Sequence, residues 1–365
     1  MMKIKLLFIE DDSTDIDGCR TTVAAYEHEK GVQIELVVAK DIAEATEKMS
    51  QAYDGAIVDL KLGANAGEGN AILNQLRDNL YRMPVVILTG TPDDIDTTYH
   101  VVRQCKKGEV GYREIFDLFF SIYKTGLTKI IGGRGEIERF MSSIFEKNIM
   151  PSWEMWTPYA NHGMDTEKAL LRFVVSHLIE CLDAGTDMYF KEEVYITPPP
   201  TTNFKTGSIL SKKETHNKYV VLNPACDIST RQDGAFKTDR ILLAEIEPMK
   251  DVLEMSAAEV TKRGKKKRRI EEAIKNNHTD YYHWLPNVAF FDGGFINFRK
   301  VSTFTKQELE NNFELPPKLQ ISSPFVKDVV SRFSSFYARQ GQPDLNFPEI
   351  AKCIDTCMHG EPQGS

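Results

Sequence analysis

The chain has 365 residues, a formal net charge of -8, 41% hydrophobic and 27% charged side chains. At that length and composition it reads as a water-soluble protein of two or three domains, and its acidic balance argues against a protein that coats nucleic acid. No apolar run nears the ~20 residues of a membrane span, residues 1–9 turn acidic too soon for a signal-peptide core, and six scattered cysteines make no disulfide framework, so a cytoplasmic protein with free thiols is expected.

The first 125 residues carry 14 basic and 21 acidic side chains, and in them short β-type runs alternate with helical patterns. Strands are expected at 5–9, 32–38, 55–60, 84–88 and 99–104, with helices from Ser13 or Thr14 to 26 and over 42–52, 70–78 and 112–123. Residues 92–98 leave room for barely two helical turns. Alternation of this kind implies an α/β domain: a doubly wound, five-stranded parallel sheet with helices on both faces. The strands are continuous apolar runs, not period-2 stripes, which suits strands buried on both sides.

Chemistry gathers at the strand ends. Asp11 and Asp12 follow the first run, Asp59 closes the apolar triplet 56–58, Thr89 ends 85–88, and Lys106 and Lys107 follow 99–104. The carboxyl edge of an open parallel sheet is where such folds bind ligands. Asp11, Asp12 and Asp59 would be like charges in close quarters, a conflict that Mg²⁺ relieves while keeping room for water and a phosphoryl oxygen. Asp59 is then placed to attack phosphorus, Lys107 to neutralise the charge that develops, and Thr89 to hydrogen-bond the phosphoryl group, with Lys106 an alternate for the ammonium. The bland alternative is a structural acidic cluster.

Three motifs resemble the receiver domain of two-component response regulators: Ile9-Glu10-Asp11-Asp12, Val58-Asp59-Leu60-Lys61-Leu62 with Gly67 eight after the acid, and Met83-Pro84 through Thr89-Gly90. The likeness covers about a third of the chain. It implies a flavodoxin-like receiver whose Asp59 accepts a phosphoryl group from a histidine kinase or phosphotransfer protein. It also implies Mg²⁺ held by Asp11 or Asp12, Asp59 and the backbone carbonyl of Lys61. Two departures from the family pattern stand out: Gly108 follows Lys107 where proline is usual, and Gln104 takes the place of an aromatic three residues before that lysine.

Beyond the receiver, taken as 1–126, a glycine-loosened linker with a short helix at 136–145 leads to a helix over 166–182, the two forming a region 127–190. That second helix has apolar residues at helical spacing, for packing on the receiver, a twin subunit or the domain that follows. From 191 to 358 the pattern turns to an α+β domain with a small antiparallel sheet or barrel: strands at 194–196, 207–210, 219–222, 240–246, 282–285 and 294–301, then a helix at 324–339. A tail from 359 to 365 is expected to be disordered.

Cys226 and Asp227, at the end of one of these strands, are open to three readings with His216 and His283: a structural turn, a thiol nucleophile with its base, or a metal site. Cys353, Cys357 and His359 match no common zinc spacing. Residues 262–269 hold seven positive charges in eight positions, within an exposed basic helix over 256–276, suited to a phosphate backbone, an acidic partner or plain solvation. No helix–turn–helix, nucleotide loop or hydrolase motif is evident.

The expectation is therefore a response regulator of a phosphorelay, acting through protein contacts with a downstream effector or as a phosphate sink. Its architecture resembles phosphorelays encoded with antiphage defence systems. A receiver-gated enzyme using Cys226 and Asp227, or a DNA-binding regulator using 262–269, is the alternative.

Overall fold

In the computed structural model, which describes residues 1–49, 52–63, 65–66, 68–90, 99–133, 135–183, 188–228, 237–253, 263–277, 279–339, 343 and 345–359, the chain forms two units, Met1–Thr186 and Asp187–Ser365. The first unit begins β1 (Lys3–Ile9), α1 (Ser13–Lys30), β2 (Gln33–Ala39), α2 (Ile42–Lys48) and β3 (Gly55–Val58). A two-residue ribbon, β4 (Lys61–Leu62) with β5 (Asn65–Ala66), precedes α3 (Glu68–Asp78), β6 (Val85–Thr89), β7 (Arg103–Lys106) and α4 (Tyr112–Lys124). The five long-range strands lie in the order β2-β1-β3-β6-β7, all parallel, which is the flavodoxin-like order.

Alternation along each strand feeds two cores. Ile4, Leu6 and Phe8 of β1, with Ile57, Val86 and Leu88, meet α1 and α4 through Ile16, Cys19, Val23, Phe116 and Phe119. Leu7, Ile9, Ala56, Val58, Val85 and Ile87 face the other way, onto Ala45, Ile72, Leu73 and Leu76 of α2 and α3. Both faces are buried, which explains why the strands read as unbroken apolar runs.

Two local expectations change. The cap of α1 is Asp12, not Ser13 or Thr14: its side chain accepts from the backbone N–H groups of Thr14 and Asp15. The fifth strand is Arg103–Lys106, starting four residues and ending two residues later than the run at 99–104 suggested. It lies at the sheet edge and buries only Cys105, so pairing with β6 places it and hydrophobicity does not. Tyr99 and Val101, which carried the apolar signal, pack against the core from outside the strand. Residues 92–98 lie outside the described residues.

The rest of this unit is helical: α5 (Leu127–Ile131), α6 (Glu136–Ile144), a π turn at Phe145–Ile149, a 3-10 turn at Met150–Met155, α7 (Thr157–Asn161) and α8 (Glu167–Asp183). Glycines that suggested a loose linker stand at helix ends instead: Gly126 and Gly132 bound α5, and Gly135 caps α6.

The second unit is built on a seven-stranded antiparallel sheet. In chain order its elements are β8 (Tyr195–Ile196), β9 (Ser208–Ser211), β10 (Lys218–Val221), β11 (Ile241–Glu247), α9 (Met249–Val252), α10 (Arg263–Ile274), β12 (Tyr282–Leu285) and β13 (Gly294–Phe304). α11 (Lys306–Asn312), β14 (Leu319–Ile321), α12 (Ser323–Ala338) and α13 (Phe347–His359) complete it. The sheet is open, in the order β12-β13-β11-β10-β9-β14-β8. One core joins it to α12 through Val329, Phe333 and Phe336, and another joins it to Leu309 of α11 and to Phe313. Four elements of this unit were not foreseen from the sequence: β14, with three residues, and the helices α9, α11 and α13. Of the basic run 262–269, every side chain but that of Arg268 lies outside the described residues, as do residues 360–365 and the side chains of Cys357 and His359. Among the described residues, no helix is long and apolar enough to cross a membrane.

Candidate functional site

Strand register assembles the site. Ile9 pairs with Val58 and Val58 with Ile87, so the residues that follow β1 and β3 leave the sheet side by side at its carboxyl edge. Asp59 donates its backbone N–H to Ile9 O at 3.0 Å, and Glu10 donates its own to Ala39 O at 3.0 Å. Thr89, fully buried, ends β6 opposite Lys106, and its carbonyl accepts from the Lys107 N–H at 2.9 Å. Gly108, at φ +83°, then turns the chain through a conformation that disfavours side chains, leaving Lys107 to reach back over the edge.

Lys107 is the hub. Its Nζ donates to Glu10 Oε2 at 2.6 Å, Asp15 Oδ2 at 2.6 Å and Asp59 Oδ2 at 2.9 Å. Lys106 turns outward, 3.7 Å from Glu109 and half exposed, so of the two lysines only Lys107 has these contacts. Asp59 is buried, and its other oxygen, Oδ1, accepts from the Lys61 N–H at 3.2 Å. Asp11 is exposed and accepts from the Gly63 N–H at 2.8 Å.

Glu10, Asp11 and Asp59 each offer an oxygen lying within 4.8 Å of the others. Burial pushes the Glu10 carboxyl up to about 7, and the hydrogen bond from Lys107 opposes that rise without cancelling it. Burial acts against the Lys107 charge too, but its bonds to Asp15, Glu10 and Asp59 win and raise its pKa. One ammonium thus serves three carboxylates, with Asp11 alongside. An oxygen-only donor set with one member open to water suits Mg²⁺ in both ligand type and room for coordinated water. Asp12 is outside this trio: hydrogen bonds from the Asp15 and Thr14 N–H groups at the start of α1 hold its carboxyl below the usual range.

Glu10 and Asp15 are members of the site that the sequence did not single out. For Glu10 a signal existed, since it is the first acid after the β1 run and so the nearest to the sheet edge. For Asp15 there was none, because an acid in the first turn of a helix ordinarily complements the helix dipole. Gly69 is a third. A Cβ there would lie 2.4 Å from Asp59 O and from Leu60 Cα, so α3 starts hard against the backbone that carries Asp59.

In the second unit, Cys226 is exposed on the turn after β10, 3.5 Å from Asp227 Oδ1. The Asp227 carbonyl accepts from the N–H groups of Lys237 and Thr238. His216, at φ +58°, lines a cleft with Lys218 and Lys300, whereas His283 is buried on β12. Among the described residues these four do not gather into a metal-ligating group. Glu247 closes β11, where Tyr282 Oη and Asn297 Nδ2 donate to it at 2.8 Å each and Lys300 Nζ at 2.5 Å. Burial acts to raise its pKa, but these three donors prevail and hold it below the usual carboxylate range.

No family model and no curated protein matches the chain. Among solved structures, the chain is similar to the receiver domain of the Francisella response regulator 1452, with 22% identity over 33% of this chain and 98% of that one at a TM-score of 0.27. A CheY-like receiver domain from Methylobacillus flagellatus is 20% identical over 33% of this chain and 99% of its own, at a TM-score of 0.26. The receiver domain of a sensor histidine kinase from Pseudomonas aeruginosa, solved with magnesium coordinated in its active-site cleft, is 16% identical over 33% and 98%, at 0.26. At these values no role for any residue here follows from the likeness.

Proposed function

We propose that the first unit accepts a phosphoryl group on Asp59, as the response regulator of a phosphorelay. The observation that supports this reading is the surplus of acid around one ammonium: Lys107 holds Asp59 at 2.9 Å while Glu10 and Asp11 stand beside it. Burying Glu10 and Asp59 together on one shared ammonium costs free energy that a single buried ion pair would not. Glu10, Asp11 and Asp59 would hold Mg²⁺, which when bound supplies positive charge to the phosphoryl oxygens.

An oxygen of Asp59 attacks phosphorus and forms the new O–P bond. The bond from phosphorus to the donor breaks, and its electron pair leaves on the donor atom, an imidazole nitrogen of a histidine kinase or phosphotransfer protein. Lys107 keeps its proton throughout and faces the charge that gathers on the transferring oxygens. Thr89, at the end of β6, hydrogen-bonds the phosphoryl group. Water attack on phosphorus later releases inorganic phosphate and restores the carboxylate. The signal leaves through protein contacts of the chain, or the chain acts as a phosphate sink.

Incubation with acetyl phosphate and Mg²⁺ is the direct test. The expected product is a single base-labile acyl phosphate, detected by intact mass, that Asp59→Asn does not form. A folded wild-type chain that gains no phosphoryl mass would overturn the proposal.

A further inference from the structure

Helix α8 is apolar on two opposite faces, and the first unit covers one of them. Phe173 packs edge-on to Trp156 with ring centroids 5.6 Å apart, and His177 lies against Phe173 at 4.4 Å. On the other side Leu171 is 63% exposed, Val175 43%, Ile179 50% and Leu182 62%. A helix that is apolar all round is ordinarily buried all round. Written as a heptad abcdefg, Leu171 and Leu178 fall at d, and Val175 and Leu182 at a. These are the seam positions of a two-stranded coiled coil, and Leu at d with a β-branched residue among the a positions favours two strands.

We infer that a second copy of this chain covers that face, the two α8 helices running parallel across the molecular dyad. Charge chooses both partner and direction. Glu167 occupies a g position and Arg172 the following e position, both exposed and neither in an ion pair among the described residues. In a parallel pair, g of one helix meets e of the next heptad on its partner, so Glu167 meets Arg172 twice by symmetry. An antiparallel pair on the same seam would set Arg172 against Ile179 and leave Glu167 beyond the end of the partner helix, so neither charge would find its opposite. Ile179, also at e, meets Val174 at g in the same way, which extends the apolar strip. The seam spans fewer than two heptads and buries on the order of 400 Å² per partner, which places it in the weak, concentration-dependent class of interface.

Sedimentation of the full chain from about 1 μM to 1 mM, the range for an interface of this size, should show the mass rise from 41.5 kDa towards twice that value. Glu167→Arg and Arg172→Glu should each weaken association about tenfold, and the double variant should return to within about twofold of wild type. Rescue by the double exchange separates a lost contact from a misfolded helix. A wild-type chain that stays monomeric across the range overturns the inference. So does a double variant as weak as the singles, or a Val175→Asp variant that associates as well as wild type. None of these outcomes depends on whether Asp59 is phosphorylated.

Discussion

Glu10 and Glu247 each end near a strand terminus and each is bonded by a lysine, yet their surroundings drive them in opposite directions. Glu10 is 1% exposed, shares its lysine with Asp15 and Asp59, and is pushed up to about 7 by burial. Glu247 has three donors and holds its proton less firmly than an ordinary carboxyl. The first site has more acid than cation: Lys107 alone faces Glu10, Asp15 and Asp59. The second sets one carboxylate against a lysine and two neutral donors, so its acid is fully supplied with partners. This contrast follows from architecture. A parallel sheet leaves its carboxyl strand ends side by side at one edge, whereas an antiparallel sheet alternates strand directions and disperses its polar groups.

The largest effect should come from Lys107→Ala. Removing one preorganised cation facing the reacting oxygens should slow acyl-phosphate formation by roughly 10²–10³. Single-turnover phosphorylation followed by mass measures this, and a rate within a few-fold of wild type would mean that the lysine serves structure alone.

A second test sets the second unit against pH. His283 is buried on β12, its Nδ1 has no hydrogen-bond partner and lies 3.7 Å from Asp328, and burial followed by the nearby Arg332 charge holds its pKa down at about 3. Above about pH 6.5 the ring is neutral in both folded and unfolded chains, and its contribution to stability is complete. As pH falls from 6.5 towards 3 the unfolded chain takes a proton that the folded one refuses, so stability declines, by as much as ~5 kcal/mol in all. Denaturant titrations of wild type and His283→Leu across that window should show a shallower decline in the variant; equal slopes would mean that the buried ring does not titrate as described.

A smaller effect is expected at Glu247 itself. Glu247→Leu leaves Tyr282 and Asn297 without their acceptor and should cost about 1–3 kcal/mol in a denaturant titration. Acyl-phosphate formation on Asp59 should be unchanged. A change in that rate would show that the two acidic centres are not separate in kind.

Much of the first unit was legible because its strands are buried on both faces, and a run such as 55–58 or 85–88 has no other economical fold. The edge strand was misplaced for the converse reason: with Cys105 alone buried, its position depends on partners in β6 that no local pattern reveals. In the second unit six strands could be found from short apolar runs. The three-residue β14 could not, because it is held by pairing with β8 and β9 and contributes too few residues to form a pattern.

Sequence alone determined the class of the first unit and the residue types at its carboxyl edge, since periodicity and strand-end chemistry are local properties. Which acids converge was decided only by the tertiary structure. Asp12 is one residue from Asp11 and yet is drawn to the helix start, Glu10 is turned inward beside Asp59, and Asp15 meets Lys107 across 92 positions of chain. Those distances depend on register between strands and on where a helix begins, and both are settled by packing against the rest of the fold.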